Sequence, residues 1–119
     1  MKLLRAISSG SGSAGPGGAV NELTKQDVVA LNTVSDFDPA TASGIVTIPL
    51  GAVAVFINGS EIEIGNGVKT KEAYFSSDAG ITAKAINGVA VGDILYWVGS
   101  VAGYQLEITD KIRYLYAIA

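Results

Sequence analysis

Residues 53–67 read VAVFINGSEIEIGNG. Asn58-Gly59 and Asn66-Gly67 bracket a segment in which glutamate and isoleucine alternate. Asn-Gly supplies the two positive φ angles of a type I′ turn, whose twist matches that of paired strands. Ala52 to Ile57 is apolar and too short for a helix, so the stretch predicts a β-hairpin. Successive strand residues face opposite sides, which puts Ile62 and Ile64 on one face and Glu61 and Glu63 on the other.

Working outward, the same pattern repeats toward the C-terminus. Asn87-Gly88 predicts another hairpin turn. Strands are predicted at Ala73 to Ser76 and Ile81 to Ile86, joined by Ser77-Asp78-Ala79-Gly80. Further strands are predicted at Ile94 to Val98, Tyr104 to Ile108 and Ile112 to Ile118. Toward the N-terminus, Gly44 to Ile48 is β-branched and ends at Pro49, which cannot donate to a ladder and marks an edge. Asp36-Phe37-Asp38-Pro39 reads as a turn. Val28 to Leu31 reads as a short strand, and Asn21 as the cap of a short helix through Lys25. Short strands at this spacing, with no long helical stripe after residue 40, predict an all-β fold: a small antiparallel β-sandwich or barrel. Residues 1–19, rich in Gly and Ser (SSGSGSAGPGG at 8–18), are expected to form an extended arm ahead of a single domain at 20–119.

Composition narrows the chemistry. The chain has no cysteine and no histidine. Ser-His-Asp, Cys-His and histidine–zinc chemistry therefore have no residues to work with. Net charge is −3 with eight Lys or Arg, which gives no footprint for nucleic acid. No apolar run reaches the ~18 residues of a membrane span, and Met1 to Ile7 lacks the apolar middle of a signal peptide. Only 16% of residues are charged, against about 25% in typical soluble domains. A surface so neutral is expected to lie against other protein.

The candidate acids are Asp36, Asp38, Asp78, Asp93 and Asp110. None has calcium-loop spacing, and each stands where a turn wants an aspartate. Glu61 and Glu63 share one strand face rather than flanking a cleft, the arrangement of a solvent side and not of a glycosidase pair. The reading is thus of a non-enzyme that needs no metal or cofactor. Trp97, Tyr104, Tyr114 and Tyr116 are the candidate interface aromatics, with Tyr96 and Trp97 on opposite faces of one strand. In the arm, Leu3, Leu4, Arg5 and Ile7 are the candidate docking residues. The glycines around them let the backbone follow a partner's surface.

The VFING hairpin, the YFSSDAG turn at 74–80, the GDILYW strand at 92–97 and the closing segment to Tyr116 resemble small β-rich virion proteins of tailed bacteriophages. The resemblance covers about half the chain and involves no catalytic motif. It implies a structural subunit of the phage particle that binds the major capsid protein or other virion proteins, as a capsid decoration (cement) or head-fibre component. It also implies a homo-oligomer around a symmetry axis, a trimer. The alternatives are a tail or tail-fibre component, or a receptor- or glycan-binding β-module using exposed Trp97 or a tyrosine pair.

Overall fold

The computed structural model describes residues 22–31 and 33–118. The strands are β1 (Glu22–Val29), β2 (Asp36–Pro39), β3 (Ala54–Ile57), β4 (Ser60–Glu61), β5 (Ala73–Ser76), β6 (Ile94–Val98) and β7 (Lys111–Ile118). They make a four-stranded sheet, β1-β7-β3-β4, and a three-stranded sheet, β2-β6-β5. Every strand pairing is antiparallel. The two sheets share one core. Val55, Ile57, Ile112, Tyr114 and Tyr116 from the first pack with Ala73, Phe75, Leu95 and Trp97 from the second. Phe75 and Tyr114 meet edge-to-face across the layers at 5.7 Å, an aromatic geometry favoured by the ring quadrupole. The fold is a two-layer β-sandwich.

The opening hairpin forms as its sequence dictates. Asn58 (φ 49°) and Gly59 (φ 90°) both take positive φ, and Ile57 pairs with Ser60 across them. Asn58 adds a second fastening. Its Oδ1 accepts from the Lys111 N–H (2.9 Å), and its Nδ2 donates to Asp110 Oδ1 (3.0 Å). The turn is thereby tied to the start of β7, which runs between β3 and β1.

The apolar run Ile94–Val98 is explained by burial on both sides. Trp97 and Leu95 face the main core, while Tyr96 and Val98 join Tyr74 in a smaller cluster on the other face. Over that face lies the 77–80 turn. Tyr74 donates to the Gly80 carbonyl (2.7 Å) and stacks on Tyr96 at 5.6 Å. Gly80 has φ +84°, and a Cβ there would sit 2.7 Å from the Tyr96 ring. Tyr96 and Trp97 thus occupy opposite faces as expected, but neither is exposed.

Several expected elements take other forms. Residues 22–29 are a full strand, with no helix. Asp36–Pro39 is an edge strand with a bulge between Asp36 and Asp38 and Phe37 at φ 59°. A bulged strand of this kind resembles a turn locally. Asn87-Gly88 lies in a 3₁₀ turn, Ile86–Gly88, because no strands flank it to close a hairpin. Gly44 to Ile48, Ile81 to Ile86 and Tyr104 to Ile108 form no strand of either sheet and are held by a few scattered bonds. Ile45 bonds to Asp93, Lys84 to Phe75, and Leu106 to Val34. A one-turn helix, α1 (Gly99–Ala102), follows β6.

Candidate functional site

The structure disperses the residues that the sequence singled out. Trp97, Tyr114 and Tyr116 are at most 1% exposed. They are core residues and present no surface to a partner. Tyr104 is exposed, and its ring meets Trp97 edge-on at 5.3 Å while its carbonyl accepts the Trp97 Nε1–H (2.9 Å). The arm residues Leu3, Leu4, Arg5 and Ile7 lie outside the described residues.

The aspartates build turns. Asp36 accepts from the Ser100 N–H, Asp38 from Ser35, Asp93 from Ala90 and Asp110 from Glu107. Asp78 accepts from Ser76 Oγ (2.6 Å) and the Thr82 N–H (2.8 Å). These bonds, the Ser76 bond foremost, lower its pKa from 3.8 to about 2, since donors to a carboxylate favour the charged form. Glu61 and Glu63 point to solvent, with Lys71 beside Glu63 at 3.6 Å. Among the described residues no acidic cluster has the make-up of a metal site.

What the structure does assemble is the outer face of the four-stranded sheet. A shallow concavity of about 1180 Å³ lies there, with the apolar side chains of Leu23, Val29, Phe56 and Leu115 and the charged Lys25, Asp27, Lys111 and Arg113 on that face. Strand register sets the pattern. Asp27 stands opposite Arg113, Lys25 opposite Leu115, and Val29 opposite Lys111. Arg113 grips both Asp27 oxygens, from Nε at 2.7 Å and from Nη2 at 3.3 Å. That hydrogen bond, then the charges of Arg113, Lys25 and Lys111, hold the Asp27 carboxyl below its usual range. Leu115 is buried at the floor, and Val29 is 59% exposed at the rim.

The electrostatics of this face differ from those of the whole acidic chain. Elsewhere the described cations are engaged: Lys84 with Asp93 (2.7 Å), Lys71 with Glu63, and Lys69 over the Tyr74 ring (5.7 Å). Lys25 and Lys111 have no ion pair among the described residues. The face therefore combines apolar area with surplus positive charge. The signal was present in the sequence as Lys25-x-Asp27 and Lys111-x-Arg113-x-Leu115. It carried no meaning until β1 was known to pair with β7.

These features define a small antiparallel β-sandwich with one cation-bearing sheet face. No protein family, curated protein or solved structure matches the chain.

Proposed function

We propose that the chain is a non-enzymatic structural subunit of a bacteriophage virion, a capsid decoration (cement) or head-fibre component. In this reading it binds other virion proteins through the outer face of the β1-β7-β3 sheet. The observation that carries the binding role is that face itself: an open apolar concavity with two cations, Lys25 and Lys111, unpaired among the described residues. Its complement is a virion protein surface bearing carboxylates around an apolar side chain, since opposite potentials set register and steer encounter. The phage setting rests on the resemblance from Val53 to Tyr116. The glycan-binding alternative drew on Trp97 and a tyrosine pair, and with those side chains in the core no observation favours it.

The test is co-sedimentation of the purified chain with particles from which it has been removed. Wild type is expected to pellet with the particles. Lys111→Glu and Phe56→Ser should melt like wild type and stay in the supernatant. Pelleting of both variants at the wild-type level would move the contact elsewhere. A wild-type chain that never associates with particles would overturn the virion role.

A further inference from the structure

We propose that β1 is a dimerisation edge, pairing antiparallel with β1 of a second copy about a two-fold axis and joining the two four-stranded sheets into one. An unprotected strand edge is a template for another strand, and proteins normally block theirs. Three of the four sheet edges here are blocked. β2 carries a bulge and ends in Pro39, which has no N–H to offer. β5 is covered by bonds from Ala73 to Glu63, Gly65 to Ala73 and Lys84 to Phe75. β4 is two residues long and carries an exposed glutamate, Glu61. β1 is eight residues long, unbulged and free of proline, with unbroken register along β7. Among the described residues, nothing bonds to its main chain on the outer side between Glu22 and Val29; the Gly44 carbonyl and the Val46 N–H bond only to the Gln26 side chain.

The direction of the backbone fixes which residues could pair there. Ala30 donates its N–H to Asp110, on the β7 side, while Leu31 donates to Ala40, on the other side. Hydrogen bonding alternates along a strand, so the even residues of β1 bond to β7. The N–H and C=O groups of Leu23, Lys25, Asp27 and Val29 therefore point to the open edge. Two copies must pair odd residue with odd residue. Centred on Gln26, an antiparallel pairing sets Lys25 against Asp27 of the second copy and Leu23 against Val29 of the second copy. Both are stabilising cross-strand combinations, and both lie on the outer face. The neighbouring registers of the same parity set Lys25 against Lys25 or Asp27 against Asp27, which like charge disfavours. One register is therefore selected, and it is self-complementary, as a two-fold contact requires. It supplies Lys25 with the carboxylate it lacks and covers part of the exposed Val29. The resemblance implied three copies, whereas the geometry of this edge gives two.

The experiment is light scattering at tens of micromolar, combined with amide hydrogen exchange. Wild type should show twice the 12.2 kDa chain mass. The amides of Leu23, Lys25, Asp27 and Val29 should become protected as concentration rises, while those of Thr24, Gln26 and Val28 are protected throughout. Lys25→Asp sets acid against acid, and Asp27→Lys sets base against base, so each variant alone should be monomeric while melting cooperatively. Mixed one to one, the two should form a heterodimer, because both cross-strand charge pairs then set an acid of one variant against a base of the other. A monomeric wild type, an oligomer indifferent to both substitutions, or a mixture that stays monomeric would each overturn the proposal. Dimers that do not bind particles would sink only the virion role, and monomers that do bind would sink only the edge.

Discussion

Tyr114 buries a hydroxyl that has no hydrogen-bond partner among the described residues. Its ring is fully enclosed, against Phe75, and burial pushes its phenol well above the ordinary tyrosine range. Tyr114→Phe removes the hydroxyl and keeps the ring. A hydroxyl buried without a partner costs about 1–3 kcal/mol in protein mutational data. The oxygen leaves a void of roughly 10–15 Å³, which at about 24 cal/mol per Å³ returns only ~0.3 kcal/mol. The variant is therefore expected to be more stable by about 1 kcal/mol, or about 4 °C in melting temperature for a domain near this size. Tyr116→Phe is the control from the same face of the same strand. Its hydroxyl donates to Gln26 Oε1 (3.3 Å), and that loss should destabilise by about 1 kcal/mol. Urea titrations of the two variants and wild type measure both. A Tyr114→Phe protein less stable than wild type by about 1 kcal/mol would show that the hydroxyl does have a hydrogen-bond partner, since that is the loss a satisfied bond produces.

Asp93 is 2% exposed and receives both Lys84 Nζ and the Ala90 N–H at 2.7 Å. Asp93→Ala strands both donors and should cost about 3 kcal/mol by denaturant titration, toward the low end for broken buried pairs because Lys84 can turn to solvent. Asn58→Val with Gly59→Val forces two β-branched residues to positive φ and removes both Asn58 side-chain bonds. The expected loss is about 2–4 kcal/mol, and equal stability would refute the turn's role in setting register. Asp78 ionises more readily in the folded turn than in an unfolded chain. Its contribution is complete above pH 3.8 and fades as pH falls toward about 2. Carboxyl NMR titration of Asp78 should show that low value in wild type and a value nearer 3.8 in Ser76→Ala.

Features were legible in the sequence where their cause is local. The Asn58-Gly59 turn needs only positive φ at adjacent residues and formed as read, but the strand expected after it through Ile64 pairs only over Ser60–Glu61, and Ile64 bridges to Ala73 instead. Ile94–Val98 and Ile112 to Ile118 were found because central strands are apolar enough to announce themselves. The misreadings lie where partners decide. Gly44 to Ile48 has the β-branched composition of a strand, yet only Ile45 is buried, while Val46 and Ile48 stand largely exposed. Only Ile45 finds backbone partners, at Gly92 and Asp93 just ahead of β6, so its propensity is not extended into a ladder. The start of β1 gave the opposite error. Glu22-Leu23-Thr24-Lys25 carries helix-tolerant residues, but pairing with β7, at the far end of the chain, holds it extended.

Tyrosine and tryptophan are favoured both in cores and at contacts, so residue type alone cannot separate the two. Here the sheets close over Trp97, Tyr114 and Tyr116, and the proposed contact falls instead to residues of ordinary appearance. Lys25 and Asp27, two apart on a strand, read singly as a solvated face. Across β7 they become one ion pair and one unpaired cation, because Arg113 reaches Asp27 and nothing described reaches Lys25. An edge strand with one charge satisfied within the chain and its neighbour left over differs from the ordinary blocked edge, where like or lone charges repel a second strand. Opposite charges two residues apart repel a second copy in the neighbouring registers and attract it in the register centred on Gln26. Selectivity of that kind is what a subunit needs if it is to join its own copies in one geometry and resist open-ended stacking.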